Sequence, residues 1–336
     1  MRRVSVMMAL FALALFALVG CSQETKQGSV QQKAEQASPD KKVKVGITQI
    51  VEHPALDSIR KGIIDQLADE GFKDGETMQL EYLNAQNDMN NVATIAQQLA
   101  ADKKDIIIPI TTPSAQAVAQ QAKEIPVVFS AVTDPVAAKI VPALDKPGKY
   151  ITGTSDVSPM DKQVQLVKEF VPSMTKLGVI YNTGEVNAEV QVAMIEKAAQ
   201  ALGIKVEKAG ISNSNEVKQR AESIVGKVDA ILIPVDNTVV SSFEALLTVA
   251  KASKIPVFAS DSDTVKRGAV ATYGIDYYKL GRQTGVMAAR VLKGEKPDTI
   301  PVETLKDVQL MMNETAVRDF GLSVPDKLKA ETPASK

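Results

Sequence analysis

Three hydroxyl residues, Thr111, Thr112 and Ser114, surround Pro113 just ahead of a helix expected over 115–123. Proline suits a first helical turn, where backbone N–H groups lack partners, so hydroxyls and free donors together would face an anion. A plain N-cap would use only one of those hydroxyls. Of the opposite sign are Asp156, Asp236, Asp261 and Asp276, each at an expected strand end or a crossing between lobes, where a partly desolvated carboxylate can hold a cation. Asp156 and Asp276 are favoured for that role, although each serves equally well as the cap of the helix after it. Glu185 and Asn187, in the turn after a strand at 177–181, offer further hydrogen bonds or are ordinary turn residues. The chemistry available is recognition and not bond breaking. No GxSxG elbow, HExxH pair or Walker loop is present, and no catalytic residue is assigned.

Scarce residue types sharpen this. The 336 residues are 45% hydrophobic and 24% charged, ordinary for a folded chain of more than one domain. With 39 basic and 40 acidic residues there is no basic excess to bind a phosphate backbone, so no nucleic acid partner is expected. The single Cys cannot form an intrachain disulfide, and the single His, His53, cannot supply a His-rich zinc site. Asp261, Ser262 and Asp263 alternate carboxylates as a metal loop does, but without further ligands they read as a capped turn, so neither metal nor cofactor is expected. Only 4% of residues are aromatic and none is Trp. Tyr181, Tyr273 and Tyr277 fall at strand ends, where one or two of them can stack on a ligand or all can serve as lobe core, and Phe129 reads as core. His53, in an EHP turn, is either turn packing or a ligand or hinge contact.

The N-terminus accounts for the Cys. Arg2 and Arg3 precede an uncharged apolar stretch over 4–20, then Leu18-Val19-Gly20-Cys21, the order of a secretory signal. As a membrane span its roughly 17 residues are marginal against the roughly 20 required. Residues 22–42 hold no aromatic, Leu, Ile or Met and cannot bury enough apolar surface to fold, so they read as a tether of roughly 70 Å at full stretch.

From Lys42 onward, short apolar runs alternate with amphipathic stretches, which predicts parallel sheets covered by helices. Strands are expected at 43–49, 78–84, 106–110, 126–130, 150–154, 177–181, 205–208, 230–234, 256–259 and 269–273. Leu56, Ile59, Ile63 and Leu67 keep helical spacing up to Gly71. An internal echo sets the architecture: residues 105–135 and 229–264 both run Asp, apolar strand, Pro, polar turn, helix, Ile-Pro-Val, second strand, second polar turn. Two similar α/β lobes follow, with polar turns past the strand ends, where open sheets bind ligands. Residues 43–155 with 274–300 form the first lobe and 156–273 with 301–325 the second, joined by a three-stranded hinge. Before them lie a signal (1–20) and Cys21 with its tether (21–42), and after them a tail (326–336). Gly281, Gly285, Ala288 and Ala289 would let the helix over 275–292 pack closely.

In order, the chain carries VGITQIVEHPALD (45–57), TTPSAQA (111–117), AVTDPV (131–136), TGTSD (152–156), YNTGEVNA (181–188), PVDNT (234–238), ASDSD (259–263) and GIDYYKLGRQTG (274–285). This set resembles the ABC-transporter substrate-binding lipoproteins of the tryptophan/tyrosine uptake type. The resemblance implies a type I periplasmic-binding-protein fold with two Rossmann-like lobes, an extracytoplasmic position, closure on a small ligand and delivery to a membrane permease. LVGC resembles a lipobox, which implies lipidation of Cys21 as the membrane anchor. Gln49, Ala131, Asp134 and Asn237 lie within these motifs and join the ligand-binding candidates. A free amino acid fits the residues above, since it needs an anion site, an acidic partner and a shaped wall. An aromatic amino acid is the first choice and a monomer is expected. Another amino acid, a short peptide, a sugar or nucleoside, or a sensing role beside a membrane receptor are the alternatives.

Overall fold

The computed structural model describes residues 42–305 and 308–329, all within the unit Lys41–Lys336. The expected signal, Cys21, the tether up to residue 41 and residues 330–336 lie outside the described residues.

Strands and helices alternate from the start: β1 (Val43–Gln49), α1 (Pro54–Asp69), β2 (Met78–Asn84), α2 (Met89–Ala101), β3 (Ile106–Ile110), α3 (Thr112–Gln121), β4 (Val127–Phe129) and β5 (Ile151–Ser155). Next come α4 (Met160–Phe170), β6 (Lys176–Asn182), α5 (Val186–Ala201), β7 (Lys205–Ile211), α6 (Val217–Ile224), β8 (Ala230–Ile233), α7 (Asn237–Ser241), α8 (Phe243–Ala252), β9 (Val257–Ala259), α9 (Ser262–Arg267) and β10 (Ala271–Gly274). The chain ends with α10 (Tyr277–Leu292), β11 (Glu303–Thr304), β12 (Gln309–Met312), α11 (Glu314–Asp319) and α12 (Asp326–Lys329).

One sheet has the order β11-β5-β4-β3-β1-β2 and a second the order β7-β6-β8-β9, with parallel pairing throughout both. Read from β2 and from β7, the first four strands of each sheet follow the same order, so the internal echo in the sequence is an echo in topology. Asp105 and Asp229 begin the repeated segments and do the same work. The Asp105 carboxylate accepts from the Lys44 N–H at 2.7 Å, and that of Asp229 from the Thr175 and Lys176 N–H groups at 2.7 and 2.9 Å. Each holds the edge of a neighbouring strand in register.

β3 reads IIIPI and is buried at every position, as a parallel strand covered on both faces must be. Leu56, Ile59, Ile63 and Leu67 form the buried stripe of α1, and just past its C-cap Gly71 turns the chain at φ +94°, where Phe72 N–H reaches back to the Leu67 carbonyl. Two large apolar clusters result. The first joins β1, α1 and β3 to Leu280, Met287 and Ile300; the second joins β6, α5 and β8 to Leu310, Phe320 and Leu328. The chain passes between them at 155–160, at 274–277, and between Val308 and Leu310. A Cβ on Gly281 would collide with the backbone of Ile59, one on Gly62 with the backbone of Tyr278, and one on Gly285 with Gln66. α1 and α10 therefore approach as closely as the small residues of the sequence suggest.

Two boundaries shift and one pairing is new. β11 pairs with β5 in the first sheet, so residues 303–304 belong with the first lobe and the expected change at 300 comes later. β10 and β12 form a separate antiparallel pair, which the apolar pattern around Leu310 and Met312 did not disclose. α3 begins at Thr112 and not at 115, because Pro113 and Ser114 already adopt the first turn.

Candidate functional site

Every loop that meets between the lobes leaves the C-terminal end of a strand. His53, Ala55 and Leu56 follow β1; Thr111 and Thr112 follow β3; Ala131 and Thr133 follow β4; Asp156 follows β5. From the second lobe Asn187 comes after β6, Val235, Asp236, Asn237 and Val240 after β8, and Asp261 after β9, and Tyr277 opens α10. These residues line one pocket. Its cavity is about 20 Å³, room for little more than a water, so a larger ligand enters only with the lobes apart and the lining displaced.

The anion side is built by strain. Thr111 sits at φ 79° and ψ 160°, a conformation nearly confined to glycine, and Ala131 is at φ 54°. Thr111 thereby turns the chain from β3 straight into α3. The buried hydroxyls of Thr111, Thr112 and Ser114 have no hydrogen-bond partner, beside a helix start whose backbone donors favour negative charge. The lining contains no Lys or Arg. Hydroxyls and peptide N–H groups are therefore what it offers an anion.

The cation side is carboxylate. Asp156 accepts from the Thr133 hydroxyl at 2.8 Å and the Tyr277 hydroxyl at 3.1 Å, and complete burial still raises its pKa. Asp261 caps α9 through the Thr264 N–H at 2.7 Å and is likewise raised by burial. Asp236 caps α7 through the Val239 N–H at 2.8 Å and accepts from the Asn182 N–H at 2.5 Å. Burial, with the neighbouring Glu185 charge, lifts its pKa well above the usual range. Burial likewise raises Tyr277 far above an ordinary phenol, with Asp156 adding to the effect. These groups lose hydration that a bound cation would replace.

Of the residues expected from sequence, Thr111, Thr112, Ala131, Asp156, Asn187, Asp236, Asn237, Asp261 and Tyr277 converge on the lining, and so does His53. The others stand elsewhere, Ser114 among them: it is buried in the first turn of α3, next to the lining but outside it. Glu185 lies behind the pocket and accepts from Asn187 Nδ2 (2.9 Å), the Asn237 N–H and side chain (3.1 and 2.6 Å), and the Thr238 N–H and hydroxyl (3.0 and 2.8 Å). It organises the second-lobe loop and is a buried network residue, not an exposed turn. Gln49 is buried against Asp57 and the Val51 carbonyl. Asp134 caps the turn at Val136 and Ala137. Tyr181 belongs to the second core, and Tyr273 packs on that core while its backbone pairs with Gln163. Asp276 is exposed and caps α10 through the Lys279 N–H at 3.0 Å, so of the favoured pair only Asp156 reaches the pocket. The lining residues outside the expected set include Thr133, Ala55, Leu56, Val235 and Val240. Each lies inside, or within a few residues of, a motif that was legible. Their chemistry is unremarkable in isolation and only the strand ends bring them together.

The model of the ABC transporter substrate binding protein family matches residues 44–336. The chain belongs to this family. A relative described as a tyrosine-binding protein, from Clostridioides difficile (strain R20291), is 43% identical over 320 residues, 95% of this chain and 91% of the relative. Among solved structures, an ABC domain in complex with L-Trp from Streptococcus pneumonia overlays with a TM-score of 0.84 at 36% identity, covering 87% of this chain and 99% of that one. The ligand-free, open structure of a substrate binding protein with adhesive properties from Clostridium difficile gives 0.65 at 46% identity, covering 84% and 96%. Identity ranks these two in one order and shape in the other. This family member is thus described in a form nearer the ligand-bound structure than the open one. Its two echoing lobes are the type I periplasmic-binding-protein architecture, and its family role is binding substrate for an ABC transporter. No helix among the described residues is long and apolar enough to cross a membrane.

Proposed function

We propose that this substrate-binding protein takes up a free amino acid with an aromatic side chain, tyrosine or tryptophan, between its lobes outside the cytoplasm and hands it to a membrane permease. One observation carries the reading: unpartnered hydroxyls at the start of α3 and three buried carboxylates, Asp156, Asp236 and Asp261, line a single pocket. That pairing complements a zwitterion. The relative described as tyrosine-binding and the L-Trp complex support an aromatic side chain over other amino acids.

Binding draws the lobes together because ligand contacts come from both, and the closed form is selected by the difference in contact between the two states. The chain acts as a monomer without catalytic chemistry or cofactor. Cys21, outside the described residues, carries the lipid that keeps the protein at the membrane surface.

The absence of Trp from the chain makes the test direct. Free tryptophan added to the full protein brings the only indole into solution, so its emission reports binding without background. Saturable change displaced by tyrosine, and not by alanine or glucose, is the expected result. No change with tryptophan and no displacement by tyrosine would remove the aromatic assignment.

A further inference from the structure

His53 is the one histidine of the chain and ends the loop after β1. Its backbone is extended at the N-cap of α1, its carbonyl accepts the Asp57 N–H, and its side chain makes no capping bond. The residue is 8% exposed, and neither ring nitrogen has a hydrogen-bond partner. Such a pair of orphaned buried atoms demands an account, because a ring used merely for packing could be apolar at lower cost.

The ring lines the binding pocket beside Ala55 and Leu56 of its own turn, in a lining that also includes Val235 and Val240 of the second lobe. The charged ends of an amino acid are provided for by the α3 hydroxyls and the three aspartates. What remains for the His53 turn and its apolar neighbours is the ligand side chain. We propose that His53 hydrogen-bonds the polar atom of an aromatic ligand side chain, so that the pocket prefers tyrosine and tryptophan to phenylalanine. This rests on the amino-acid reading above and names the residue that selects within the aromatic class.

The protonation state suits the task. Burial, with Arg267 nearby, brings the His53 pKa down to about 3. At neutral pH the ring therefore offers one N–H donor and one bare nitrogen acceptor. A phenol hydroxyl can give or accept a bond, and an indole N–H can give one. A benzene ring can do neither and leaves both nitrogens orphaned, the situation in which a polar site rejects an apolar analogue most strongly.

The experiment measures affinities of tyrosine, tryptophan and phenylalanine for the full chain in detergent, for the parent and for His53→Leu and His53→Gln. The parent binds tyrosine and tryptophan at least about tenfold more tightly than phenylalanine. His53→Leu loses about tenfold or more for the first two and changes phenylalanine by less than about threefold. His53→Gln, whose amide also has a donor and an acceptor, recovers part of the preference. Equal binding of all three by the parent, or a uniform loss for all three in a folded His53→Leu, overturns the role of His53 while leaving the aromatic reading intact. Binding of none of them by the parent overturns the reading of the site and the role of His53 together.

Discussion

The Tyr277 hydroxyl donates to the Asp156 carboxylate at 3.1 Å, and these two residues belong to different passages of the chain between the lobes. A bond across the hinge thus holds an acidic group in the pocket. Tyr277→Phe should cost about 1 to 2 kcal/mol in urea unfolding, since a buried oxygen loses its donor. Asp156→Asn should weaken amino-acid affinity about tenfold or more, because a charge-assisted bond to the ammonium becomes a neutral one. Unchanged affinity in Asp156→Asn would take Asp156 out of the site.

Asp276 supplies the contrast. Its carboxylate is exposed and caps α10. Asp276→Ala should lower stability by about 1 kcal/mol and leave ligand affinity where it was. A large loss of affinity in a folded Asp276→Ala protein would contradict the placement of that side chain.

Burial raises the pKa values of Asp156, Asp261 and, most strongly, Asp236 above their ordinary 3.8. A carboxyl whose folded pKa is raised binds more protons when folded than when unfolded. Its favourable contribution is therefore complete below 3.8 and is lost as pH rises through the raised value. An incoming ammonium reverses the preference by favouring the ionised forms. As pH rises from 3.8 through the raised values, binding should release protons and affinity should climb. Titration calorimetry in two buffers of different ionisation heat reads this directly, and identical heats in both would rule it out.

Thr111 stands in a conformation that glycine adopts freely. Thr111→Gly should raise stability by about 1 kcal/mol through relief of that strain, while weakening ligand binding through loss of an unpartnered hydroxyl. A higher melting temperature with lower affinity is the expected pair. Lower stability would show that the side-chain packing outweighs the strain.

Much of this protein is legible in one dimension. Alternating apolar runs, a stripe such as Leu56, Ile59, Ile63 and Leu67, and the echo of 105–135 in 229–264 determine two parallel α/β lobes, because burial and periodicity are local properties of the chain. Polar turns after strands mark the right neighbourhoods for Thr111, Asp156, Asp236 and Asp261. Which carboxylate lines the pocket is another matter. Asp156 and Asp276 both precede helices and look alike as caps, yet one is sealed under Thr133 and Tyr277 and the other meets solvent. Glu185 looks like a surface turn residue until the N-terminus of α7 closes over it from about 50 positions along the chain. The orphaned state of His53 depends on the absence of partners in space, which no spacing encodes. Sequence alone determined the lobes, since each folds around its own apolar pattern. Only the tertiary structure decided the site, since desolvation and pairing arise when strand ends distant in the chain are brought face to face.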